Sequence, residues 1–155
     1  MRRAVDTVSI CCLLVVALTS CATAATSHVY KVLPQLLDLK GRHALTPSLY
    51  DRDAYQASQR QHPEAVSGVQ FNVNWKAHVA NDAKLKLRVE VRGEAKGITS
   101  TESTVEKEVQ PGRSRQWTAI TLTGDGFKKL GGVTAWRVTL WNGDELLGEQ
   151  KSFLW

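Results

Sequence analysis

Past Cys21 the chain contains no cysteine, and that absence removes several classes of protein at once. A disulfide scaffold, a zinc ribbon, an iron–sulfur site and a Cys-x-x-Cys redox centre each need at least two thiols, and a cysteine nucleophile needs one. The cysteines that exist, Cys11, Cys12 and Cys21, all lie near the N-terminus. His28, His43, His62 and His78 are scattered, with no His-x-His pair and no helical His-x-x-x-His pair, so metal-ligand spacing is missing as well. Asp51 and Asp53 begin like a calcium loop but lack its glycine and terminal glutamate, which suits them better to a helix N-terminus. Nucleophile-elbow, phosphate-loop and dinucleotide glycine patterns are all absent. No cofactor is expected. A hydrolase whose carboxylates meet only in space leaves no spacing in sequence and stays open as an alternative without assigned residues.

Charge is also modest. The 155 residues carry a net charge of +5, with 43% hydrophobic and 23% charged side chains, the composition of one globular domain. Nucleic-acid binding would want basic residues clustered with aromatics between them. The nearest approach is Lys84, Lys86, Arg88 and Arg92, which share an alternating stripe with Glu90 and read as the solvated face of a strand. No nucleic-acid partner is expected.

At the N-terminus, Arg2 and Arg3 precede an apolar run, Val8 to Leu18, that is interrupted only by Ser9 and is too short to span a bilayer. Residues 1–20 are therefore expected to be an export signal. Two processing routes are open. Ala22-Thr23-Ala24 suits a conventional signal peptidase, which would release a secreted or periplasmic chain near Ala25. Leu18-Thr19-Ser20-Cys21, by contrast, resembles the lipobox of bacterial lipoproteins. That resemblance implies cleavage before Cys21, lipid attachment to Cys21 and membrane association through that anchor. With Ala22 following the cysteine, it also implies an outer-membrane or cell-surface location.

The remainder divides near Gly68. Residues 21–67 hold three of the four prolines and no sustained period, and are expected to be a tether and an N-terminal segment packed on the main domain. Within it, Asp51 to Gln61 is expected to be a short helix ended by Pro63, and the apolar stretch Leu33 to Leu49 to cover a sheet edge. From residue 68 to 155 the pattern turns to period two. Val69, Phe71, Val73, Trp75 and Ala77 alternate with polar residues, as do Leu85, Leu87, Val89 and Val91. These two strands are expected to pair through a connection at Asn81-Asp82. Thr104–Val109 is expected at an edge, Trp117–Leu122 forms a fourth strand, and a short helical segment ends at Gly131-Gly132. Val133–Trp141 and Leu146–Leu154 form a hairpin about Asn142-Gly143-Asp144. A two-residue loop there would set Val138 opposite Leu147, and a three-residue loop would set Arg137 opposite Glu149; one residue of slip reverses the faces.

Six strands, with Val29–Leu33 as a seventh, define a mainly β chain, an antiparallel sandwich. The pattern over residues 68–155 resembles immunoglobulin-like and fibronectin-type-III-like domains, a likeness of architecture that implies no activity, and the chain is similar to short secreted bacterial proteins. Trp75 and Trp136 fall on apolar faces and are expected in the core. Trp141, at the hairpin rim, and Trp155, the last residue, are the candidate ligand or partner contacts. The function expected is that of a non-enzymatic envelope lipoprotein or secreted protein acting as a protein-interaction module. The alternative is a carbohydrate-binding module with exposed tryptophan as its platform, which leaves an envelope protein or a glycan as the partner.

Overall fold

A computed structural model of the chain describes residues 26–95 and 98–155. Cys21 and the expected signal segment lie outside the described residues. The described chain runs β1 (His28–Asp38), α1 (Leu49–Gln61), a single 3-10 turn (Pro63–Ala65), β2 (Val66–Lys76), β3 (Leu85–Ala95), β4 (Ile98–Val109), β5 (Gln116–Thr123), α2 (Gly124–Leu130), β6 (Val133–Asn142) and β7 (Glu145–Lys151). The seven strands form two antiparallel sheets, ordered β1-β2-β5 and β4-β3-β6-β7. This is an antiparallel β-sandwich in which the fourth strand pairs with the third, on the larger sheet.

The two most regular strands do not pair with each other. β2 lies between β1 and β5, and β3 lies between β4 and β6, so the connection through Asn81-Asp82 crosses from one sheet to the other. The expectation of a β2–β3 hairpin is corrected by the burial of both apolar faces. Val69, Phe71, Val73 and Trp75 of β2, and Leu85, Leu87, Val89 and Val91 of β3, are all essentially sealed from solvent. Each face needs an apolar surface opposite it, which a partner in the same sheet cannot provide. Val138 and Leu140 of β6, with Ile120 and Leu122 of β5, complete the interior. The one polar group of Trp75 is satisfied, since Nε1 donates to Thr118 Oγ1 at 2.9 Å.

The terminal hairpin adopts neither register foreseen. Asn142 pairs with Glu145 around the two-residue turn Gly143-Asp144, with Gly143 at φ 57° in its first central position, where a type II′ turn requires glycine. A bulge then opens between Leu140 and Trp141, so that Leu140 faces Gly148 and Arg137 faces Lys151. Glu149 faces Thr139 in this register, and the Arg137 guanidinium pairs with Glu90 on β3 at 2.8 and 3.0 Å. Gly148 lets the first and last strands approach, since a Cβ there would sit 3.2 Å from the Val29 nitrogen.

The upstream segment enters the sandwich more fully than its composition suggests. β1 occupies an edge of the smaller sheet through Asp38. α1 starts at Ser48, whose Oγ accepts from the Asp51 N–H, and ends ahead of Pro63. Its inward face is polar. Gln56 presents its side-chain amide to the open edge of β1, donating to the Leu36 carbonyl at 3.1 Å and accepting from the Leu36 N–H at 2.7 Å. The side chain supplies the two bonds that a neighbouring strand would make, which closes the edge there. Gln56→Ala should lower stability by about 1–3 kcal/mol, because it strands both backbone groups; urea unfolding of the variant against the parent measures the loss.

Three carboxylates outside the core are held below their ordinary range, Glu64 by its own backbone N–H and by His62 beside it. Asp38 accepts from the backbone N–H of Arg42 at 2.9 Å, from its guanidinium and from the Lys40 N–H. Glu106 bridges Lys86 and Arg88 on the neighbouring strand at 2.9 and 2.7 Å. A depressed folded-state pKa contributes stability above the unfolded carboxylate value, and that contribution is lost as pH falls through the folded value. Urea midpoints should therefore fall between about pH 5 and pH 3, and less steeply in Glu106→Gln.

Candidate functional site

One end of the sandwich is formed by the end of β1, the start of β2, α2 and the start of β6. There the sheets part, and α1 does not fill the gap. A cleft of about 350 Å³ remains, walled by Pro34, Leu36 and Val66 on the smaller sheet and by Val133 and Trp136 on the larger, with Phe127 of α2 beside it. Trp136, expected in the core, does face inward, and its ring meets Phe71 edge-on at 6.4 Å. It is only half-buried because its other side lines the cleft. The rim next to it is held by a reciprocal pair: Ser152 N–H donates to the Trp136 carbonyl at 2.8 Å, and Trp136 N–H donates to Ser152 Oγ at 3.0 Å.

Two side chains from the last turns of α1 give the cleft its polarity. Gln59 is 92% buried, its relative exposure being 8%, yet its Oε1 has no donor among the described residues. Gln56, one turn earlier on the same helix face, finds both its partners; Gln59 does not. An unpaired buried carbonyl costs about 1–3 kcal/mol, and this oxygen is sealed from solvent as well as unpaired. Arg60 is the titratable side chain among the described residues that line the cleft. The size, apolar walls and few polar groups are those of a binding pocket. Arg60 aside, the described residues that line the cleft are uncharged, and its walls offer shape and hydrogen bonding. Among the described residues, no group of three or more His, Cys, Asp or Glu side chains comes together to hold a metal ion.

Trp141 and Trp155, the candidates from sequence, lie elsewhere and are both half-buried on the outer face of the four-stranded sheet. The Arg92 guanidinium lies 4.0 Å from the Trp155 ring centroid and that of Arg137 lies 5.1 Å away, while Arg88 approaches Trp141 at 5.4 Å. These arginines are also paired, Arg88 with Glu106, Arg92 with Glu102 and Arg137 with Glu90. The two indoles thus cover a lattice of ion pairs and gain cation–π contacts from it. Exposure at the chain end falls on Phe153, at 100%, and on Leu154 beside it.

The sequence reading left Trp117 without a role, and it is the most exposed tryptophan of the described chain, at 56%. Its signal was present in the parity of β5: Ile120 and Leu122 face the core, so Trp117, Ala119 and Thr121 must face out.

Compared with known protein families, curated proteins and solved structures, the chain matches none. The fold and the side chains are therefore the grounds for a functional reading. Gln59→Leu should raise the stability of the free protein by about 1 kcal/mol, since an apolar side chain of similar size removes the unpaired carbonyl; a melting curve reads the gain, and a loss would mean that Gln59 has a partner in the free protein.

Proposed function

We propose that this protein is a non-enzymatic envelope lipoprotein, anchored through Cys21, whose sandwich binds another protein at the cleft end. The observation that carries the reading is the exposure of large apolar side chains on the segments that follow β1 and Ser152, next to elements that line the cleft. Leu39, Leu45, Leu49 and Tyr50 in and beyond the β1–α1 connection, and Phe153 and Leu154 after Ser152, are all largely solvent-exposed. A pocket with exposed apolar side chains on the neighbouring segments matches the anatomy of a protein interface, in which an apolar anchor enters a cavity and its neighbours exclude water. Arg60, which lines the cleft, then favours an acidic residue beside the anchor.

The placement agrees with a tether. The chain enters at His28, at the end of the sandwich away from the cleft, because β1 runs its eleven residues between the two. A lipid on Cys21 would therefore leave the cleft end facing away from the membrane.

Photo-cross-linking groups placed at Leu49 and at Leu154, in the cell that makes the protein, should trap the same partner protein from both positions. A group at Asp144, on the opposite turn, should not. Adducts that are absent, or that are the same from all three positions, would sink the reading. Cys21→Ala should move the protein from the salt-washed membrane fraction to the soluble one; if it stays, the anchor is not on Cys21.

A further inference from the structure

The outer face of the three-stranded sheet is built differently from that of its partner. Its cross-strand rows read His28 and Lys76; then Lys31, Asn74 and Trp117; then Leu33, Asn72 and Ala119; then Gln35, Gln70 and Thr121. None of these is Asp or Glu, whereas the outer face of the other sheet alternates cations with glutamates. Here Lys31 and Lys76 stand without a carboxylate among the described residues, at the end of the face that also holds Arg115, stacked 4.0 Å over Tyr30.

The middle of the face is an ordered amide chain. Gln70 Nε2 donates to Asn72 Oδ1 at 2.9 Å, and Asn72 Nδ2 donates to Gln35 Oε1 at 2.9 Å, while Asn74 Nδ2 donates to the Gln116 carbonyl at 3.4 Å. Gln35, Gln70 and Asn72 are half-exposed, and these contacts orient their amides without exhausting them, since each NH2 has two protons and each carbonyl two lone pairs, whereas Asn74 is itself buried. Beside them stands Trp117, the one large aromatic of the described face left open to solvent.

We propose that this face binds an acidic glycan, a polysaccharide chain carrying uronic-acid carboxylates. A sugar ring presents an apolar C–H surface that stacks on an indole, and hydroxyls that both donate and accept, which oriented amides match in both senses. Its carboxylates complement ammonium groups that lack internal partners. Lys31, Asn74 and Trp117 form a single row across three strands, so Trp117 and Lys31 are separated by about 10 Å, twice the strand spacing. That span exceeds one hexose ring, so more than one sugar residue is in contact. This site is separate from the cleft and does not depend on the protein-binding reading.

The test is affinity electrophoresis of the full chain in native gels containing polygalacturonate or alginate, with neutral β-glucan as the comparison. A net charge of +5 attracts any polyanion, so the deciding variant leaves charge unchanged. Trp117→Ala should bind polyuronate about tenfold more weakly or worse, with its melting temperature preserved because the ring is largely in water. Lys31→Gln with Lys76→Gln should weaken binding and flatten its salt dependence, and Trp141→Ala should bind like the parent. Equal retardation of the parent and Trp117→Ala would reduce the interaction to net charge and overturn the proposal. So would the absence of retardation by either polyuronate, or tighter retention by the neutral glucan.

Discussion

Two strands with fully apolar inner faces, β2 and β3, must be opposed rather than adjacent, and the rest of the molecule follows from that constraint. Side by side they would form a broad apolar sheet with nothing to cover it. Across from each other, about 10 Å apart, they form the interior, and each then needs flanking strands of its own. β1 and β5 flank the first, β4 and β6 flank the second, and the connection between them has to cross between layers.

An open sandwich has edges, and this one closes them by unlike means. The Gln56 amide stands in for a strand beside Leu36. On the other side, Lys107 Nζ of β4 reaches the Ala119 carbonyl of β5 at 3.0 Å, spanning the two sheets. Gly148 allows the backbones of β7 and β1 to come together. The cleft is what these closures leave over. α1 seals β1 at Leu36 but does not extend far enough to fill the end, so Gln59 is buried without a partner and Trp136 keeps one side unpacked.

The outer faces of the two sheets have opposite electrostatic designs. On the larger sheet, cross-strand ion pairs and indoles satisfy one another, which makes Trp141 and Trp155 part of a closed surface. On the smaller one, cations and an indole stand beside amides with capacity to spare. Tryptophan count alone says little about recognition; what matters is whether the protein already occupies the ring.

Period two in residues 69–77 and 85–91 determined the two best strands, their inward residues and the sandwich class, because burying one face of a strand imposes that period whatever lies opposite. The helix around Asp51–Gln61 was legible from the acidic residues at its start and the proline beyond its end, and Trp75 from its neighbours, while the Ser48 cap was not. Sheet pairing was not legible, since an apolar alternation is the same for a strand that faces another and for one that pairs with it. The hairpin register was set by a bulge at Leu140 and Trp141, a backbone event whose cost and benefit depend on Gly148 meeting β1. The cleft and the carboxylate-free face were equally invisible, because both are defined by contacts between residues far apart in sequence. Gln59 and Gln56 are the same residue type on one helix face. The fold brings Gln56 to the Leu36 N–H and carbonyl and gives Gln59 Oε1 no donor among the described residues, a difference that their shared residue type does not carry.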